Sequence, residues 1–85
     1  MYEGKFFKTY VFDLDNTLCK TVKNLNGFWE YEQSIPFEKR IEYVNKLFLE
    51  GNYIIIDTAR GSGSGKDFYE FTKNQLRKWG LRYHE

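Results

Sequence analysis

The sequence predicts an α/β fold built on parallel strands, and three observations predict it. Two short runs of β-formers, residues 8–14 and Tyr53-Ile54-Ile55-Ile56-Asp57, carry apolar side chains on both faces, the pattern of strands covered on both sides. An amphipathic helical stripe separates them, and a second one follows. The order is therefore strand, flap, helix, strand, helix, and a parallel crossover of this kind is nearly always right-handed.

Taken in order, the first strand spans residues 8–14, where Tyr10, Val11, Phe12 and Leu14 are the β-formers. Residues 19–35 show no clear period. Asn24, Asn26 and Gly27 mark a turn, with Phe28, Trp29 and Tyr31 clustered beside it, so this stretch reads as a long loop or small β-flap. Pro36 suits the first turn of a helix, with Ser34 as a candidate cap. Phe37, Ile41, Val44 and Phe48 then form one stripe that Leu47 widens, and Gly51 is a natural stop. After the second strand comes a glycine/serine loop, Gly61 to Gly65. Asp67 is placed to cap a helix whose face is Phe68, Phe71, Thr72, Gln75, Leu76 and Trp79, and Gly80 ends it. Leu81 to Glu85 reads as the approach to a third strand.

The bulk composition narrows the function classes. The 85 residues make one domain, 1–85, and aromatics at 20% argue for a real core. Thirteen Lys and Arg against twelve Asp and Glu leave the chain nearly neutral, which gives no electrostatic case for nucleic acid or a membrane surface. No apolar run approaches the length of a membrane span, roughly 18 residues or more. A single Cys19 cannot form an internal disulfide, and a reducing cytoplasm is its simplest setting.

The chemistry concentrates where the first strand ends. Asp13 and Asp15 stand one residue apart, followed by Asn16 and Thr17. Open α/β sheets bind ligands outside the carboxyl ends of their strands. Two carboxylates there suit Mg²⁺, with water and phosphate oxygens completing its shell. A carboxylate can also attack a phosphoryl group, while a second one acts as general acid and base. Thr58, with Ala59 and Arg60, follows the second strand, where a hydroxyl and nearby backbone N–H groups can hold phosphoryl oxygens. Arg60 to Asp67 imitates a P-loop but fails twice. Arg60 occupies the first required glycine position, and Asp67 stands where a hydroxyl should follow Lys66. Lys66 stays a candidate phosphate contact, against the plainer reading of a solvated lysine. Phe28, Trp29 and Tyr31 either shape a pocket or pack as core. Cys19 reads as a small buried hydrophobe, and His84, the only histidine, sits far from the carboxylates in sequence.

These residues resemble a known family. Phe12 to Leu18 resembles motif I of the haloacid-dehalogenase-like (HAD) phosphohydrolases, Asp-x-Asp-x-Thr, and Ile54 to Arg60 resembles motif II. The resemblance is closest to small capsule-biosynthesis-type phosphatases, through Thr58-Ala59-Arg60-Gly61, Gln75-Leu76, Trp79-Gly80 and Tyr83-His84-Glu85. It implies a Rossmann-like core, a parallel sheet with flanking helices, truncated after the second βα unit and carrying a flap at 19–35 instead of a cap domain. It implies a cytoplasmic Mg²⁺-dependent phosphatase acting through an aspartyl-phosphate. Asp13 would be the nucleophile and an Mg²⁺ ligand, and Asp15 the general acid/base, holding Mg²⁺ through its backbone carbonyl. Asn16, Thr58, Ala59 and Arg60 would bind the substrate phosphate, with Thr17 and Lys66 supporting. The substrate would be a small phosphorylated molecule such as a sugar phosphate, with no nucleic-acid or membrane partner. The motif III lysine and motif IV acids are missing. That departure implies a lost C-terminal segment or a homo-oligomer, and it motivates the alternative of an inactive remnant or interaction module.

Overall fold

The computed structural model describes residues 5–60 and 68–85. Strand β1 (Thr9–Asp13) leads into a tight turn. Strands β2 (Cys19–Lys20) and β3 (Ile35–Pro36) follow, with a 3-10 turn at Tyr31–Gln33 between them. Helix α1 (Glu38–Leu49), strand β4 (Tyr53–Asp57) and helix α2 (Tyr69–Lys78) complete the order. The Gly61 to Gly65 loop, Lys66 and the cap expected at Asp67 lie outside the described residues.

β1 and β4 pair in parallel, with Thr9 opposite Tyr53, Val11 opposite Ile55 and Asp13 opposite Asp57. β2 and β3 pair antiparallel, Cys19 with Pro36 and Lys20 with Ile35. The expectation of one Rossmann-like parallel sheet with flanking helices is therefore corrected. The described residues form two separate two-stranded sheets, one parallel and one antiparallel, with two helices. The physical reason lies in the flap, whose strands satisfy each other instead of extending β1.

Strand polarity shows how each edge is used. Lys8 O accepts the Tyr53 N–H at 2.8 Å, and the Leu14 N–H reaches Asp57 O at 3.2 Å. The even-numbered backbone groups of β1 thus face β4, and those of Thr9, Val11 and Asp13 face away from it. On its other side β4 meets the end of the chain. The His84 N–H donates to Ile54 O at 2.8 Å, and the Ile56 N–H to Glu85 O at 2.8 Å. The expected approach to a third strand lies here, although no strand is assigned to it. His84 stacks on Phe48 and Tyr53 with ring centroids 4.6 and 4.5 Å away.

The core gathers Leu14 and Leu18 from the turn after β1, Cys19 from β2, Ile41, Val44 and Leu47 from α1, Ile54 from β4, and Leu76 and Leu81 from α2 and its exit. Tyr10, Phe12 and Ile56 pack against it half-buried. These side chains share one face of the parallel sheet. Among the described residues the opposite face is less covered: Val11 is 61% exposed, Thr9, Asp13 and Asp57 are exposed, and Ile55 and Tyr53 are half-buried. Both helices contribute their buried residues to the same core.

The predicted helical stripe matches α1, whose Ile41, Val44 and Leu47 are buried. Its start differs from the expectation. Pro36 closes β3, Phe37 is the N-cap, and no side chain caps the helix. The Phe37 N–H instead donates to Leu18 O at 2.9 Å. Both predicted glycine stops are used. Gly51 and Gly80 have φ of 95° and 72°. Each helix closes through paired turns, Gly51 N to Phe48 O with Asn52 N to Leu47 O, and Gly80 N to Arg77 O with Leu81 N to Leu76 O. This is the Schellman arrangement, and buried Leu76 and Leu81 supply the apolar pair that accompanies it.

A Cβ at Gly80 would meet nothing within 4 Å, so the left-handed φ alone decides what a substitution costs. Gly80→Ala is expected to lower unfolding free energy by about 1 kcal/mol, and Gly80→Asn by less. Urea denaturation followed by circular dichroism checks the ranking.

Candidate functional site

β1 ends at Asp13, and the chain then turns sharply. The Thr17 and Leu18 N–H groups donate to Leu14 O at 3.2 and 2.9 Å, and the Asn16 N–H to Cys19 O at 2.6 Å. Asn16 takes φ 63°, a left-handed conformation that Asn tolerates better than most residues. Its side-chain oxygen accepts the Thr21 N–H at 3.2 Å. This turn sends Asp13 and Asp15 different ways. Asp13 stays exposed at the strand end, beside Asp57 of β4. Asp15 is drawn inward toward the flap.

Asp15 meets Arg60. Arg60 Nη2 and Nε donate to the two carboxylate oxygens at 2.8 and 3.0 Å, a bidentate fork. The arginine side chain is 1% exposed and the aspartate 21%. The rest of the guanidinium is also engaged. Nη1 donates to Gln75 Oε1 at 2.6 Å and to Thr72 Oγ1 at 3.3 Å, and Nη2 to Ser34 Oγ at 3.4 Å. Its plane lies over the Tyr31 ring, 4.7 Å from the centroid. The Thr21 hydroxyl donates to Asp15 Oδ1 at 2.7 Å and lies 2.6 Å from the Ser34 hydroxyl. Gln75 Nε2 donates to Tyr31 O at 2.8 Å. Among the described residues no buried side-chain polar atom lacks a partner.

The electrostatics follow from this packing. Burial by itself pushes the Asp15 carboxyl up, but the hydrogen bonds from Arg60 and Thr21 and the charge of Arg60 outweigh it and hold the group below the ordinary carboxylate value. Burial raises the Cys19 thiol, whose sulfur lies 3.6 Å from Asp15 Oδ1. Cys19 is fully buried, which fits the small hydrophobe expected and not a reactive thiol.

The expected site residues are thus only partly gathered. Asp15 and Arg60 meet, but as an ion pair. Thr58 Oγ1 accepts the Arg60 N–H at 3.2 Å and shapes the bend that leads Arg60 inward. Thr17 offers its carbonyl to Arg40 Nη1 at 2.8 Å. Ala59 is exposed beside them, and Lys66 lies outside the described residues. Tyr31 joins the network through Arg60, whereas Phe28 and Trp29 point to solvent. Sequence reasoning missed Thr21, Ser34, Thr72 and Gln75 as partners of the pair. The only available signal was the alternation in the flap, where Cys19 and Thr21 are buried while Lys20 and Val22 are exposed.

The phosphatase and metal-binding readings are corrected on these grounds. No group of three or more His, Cys, Asp or Glu among the described residues could hold a metal ion. The Asp15 carboxylate oxygens accept from Arg60 and Thr21. The separate sheets do not match the HAD core that the motif resemblance implied. No family model matches the chain, and no curated protein or solved structure matches it with significance.

The pair makes a direct prediction about stability. Removing one member of a buried ion pair leaves the other uncompensated, at about 3 kcal/mol or more. Arg60→Met should fall at the low end, because Asp15 keeps 21% exposure. Asp15 titrates low in the folded chain, so its stabilisation is complete above the unfolded carboxylate pKa, about 3.9, and is lost as pH falls through the folded value. Asp15→Asn should flatten that acid limb, measured as the denaturation midpoint between neutral pH and pH of about 3.

Proposed function

We propose that this chain is an interaction module that associates with a second copy of itself through the edge of β1 that faces away from β4. One observation carries the reading: among the described residues β1 has β4 on one side only, and the middle of its other edge is apolar. The N–H and C=O groups of Thr9, Val11 and Asp13 face away from β4, and Val11 is 61% exposed. Such an edge is a template for another strand.

The strand is self-complementary. Antiparallel pairing about Val11 sets it opposite its own copy and sets Thr9 opposite the copy of Asp13. That register uses all the outward backbone groups of β1. Tyr10 then faces the copy of Phe12 in a non-hydrogen-bonded pair, where side chains approach most closely. Both rings are only half-buried in the single chain, so pairing removes further apolar area from water. No like charges face each other in this register. A five-residue strand makes a small interface, which places the dimer in the weak, concentration-dependent class. Helix spans do not compete with this reading, since among the described residues no helix is long and apolar enough to cross a membrane. A cytoplasmic setting, where Cys19 stays reduced, suits such a module.

Val11→Lys places two ammonium groups opposite each other at the two-fold axis and should weaken dimerisation about tenfold. Val11→Pro removes an outward N–H and no bond to β4. Sedimentation equilibrium measures both, with circular dichroism to verify folding. A chain that stays monomeric at every concentration, or a dimer that neither variant disturbs, would overturn the proposal.

A further inference from the structure

A side chain does part of the pairing on the outer edge of β4. The His84 N–H donates to Ile54 O at 2.8 Å, and the Ile56 N–H donates to Glu85 O at 2.8 Å. These are backbone contacts of ordinary kind. The Ile54 N–H, however, donates to Nδ1 of the His84 ring at 3.0 Å. One histidine thus holds both polar groups of Ile54, the carbonyl through its backbone and the N–H through its imidazole. The ring is positioned for this contact. It stacks on Phe48 and Tyr53 with interplanar angles of 22° and 14°. Phe6, from the segment before β1, meets it edge-on at 4.9 Å. An imidazole nitrogen accepts a hydrogen bond only when it carries no proton. The docked ring is therefore neutral, with its hydrogen on Nε2.

Protonation reverses the role of Nδ1. It becomes a donor, and its hydrogen meets the hydrogen of the Ile54 N–H. Among the described residues, α1 presents Phe48 to the ring, β4 presents Tyr53, and the segment before β1 presents Phe6. Tyr53 is the titratable group of these three, and its hydroxyl donates to the carboxylate of the adjacent Glu85. Lys5 and Arg82 flank the cluster in sequence and are exposed. Aromatic faces hold a cation well, so the stacking outlasts protonation and the bond to Ile54 is what is lost. We infer that His84 is a pH-sensitive latch, which holds residues 81–85 on the outer edge of β4 when neutral and releases them when protonated. Histidine is the side chain that changes charge between about pH 5 and 8. Docking is complete on the alkaline side of that range and is lost as pH falls through it, well above the acid limb set by Asp15. Release uncovers the backbone of Ile54 and Ile56, a second strand edge. That edge faces away from β1, so the latch is independent of association through β1.

Amide hydrogen exchange followed by NMR tests this on the full chain, with protection corrected for the intrinsic effect of pH. From about pH 7.5 to about pH 5, protection of the Ile54 and Ile56 amides should fall about tenfold or more. The Tyr53 amide, bonded to Lys8 O on the other edge, should keep its protection. At the higher pH the ring nitrogen shifts should place the hydrogen on Nε2. His84→Asn offers an amide oxygen where Nδ1 stood, and should leave Ile54 protection the same at both pH values. His84→Phe keeps the stacking without an acceptor, and should lower protection at both. Equal protection of Ile54 at both pH values in the unaltered chain, an equal fall in His84→Asn, a fall shared by Tyr53, or a hydrogen on Nδ1 at the higher pH would overturn the proposal.

Discussion

The fork between Arg60 and Asp15 is the contact on which the arrangement of this chain depends. It joins the turn after β1 to the bend after β4. Its outer donors reach the flap through Ser34 and α2 through Thr72 and Gln75. Element contacts elsewhere are few, and the main one is the parallel pairing of β1 with β4. The flap's two short strands contribute little by themselves. A buried guanidinium with most of its donors satisfied fixes their position more sharply than packing alone, because leaving any donor unmet in a low-dielectric site is costly. The same contacts engage both Asp15 carboxylate oxygens and all three guanidinium nitrogens of Arg60 within the chain.

Around that fork the molecule leaves its apolar surface unevenly distributed. One face of the parallel sheet takes the side chains of both helices, and the other retains exposed Val11. β4 is bonded on both edges, by β1 and by the end of the chain, whereas among the described residues β1 is paired on one edge. The flap holds its network residues inward, at Thr21, Tyr31 and Ser34, and its apolar ones outward, at Val22, Leu25 and Phe28. Between Thr21 and Val22 that division follows strand alternation, since successive side chains of an extended segment face opposite ways.

Much of the local structure was legible in the residues. The Phe37 to Phe48 stripe, the glycine stops at Gly51 and Gly80, and the apolar runs of β1 and β4 are short-range signals set by periodicity and backbone freedom. The start of α1 was less legible. Pro36 is equally at home in an edge strand and a first helical turn, and the choice fell to Leu18, whose carbonyl takes the Phe37 N–H. The turn after β1 was legible, since the strand ends at the carboxylates and Asn16 tolerates the left-handed region; that it turns Asp15 inward to Arg60 was not.

The sequence by itself determined the order of elements, the positions where helices stop, and a concentration of polar residues at the ends of β1 and β4, because each of these rests on interactions within a few residues. Tertiary structure alone decided that Asp15 belongs to Arg60, that Thr21, Ser34, Thr72 and Gln75 complete the pair, that the flap strands form their own sheet, and that among the described residues β1 is paired on one edge. Those outcomes depend on residues 6 to 45 positions apart in the chain, and the alternation of a short strand does not say which distant side chain will meet it.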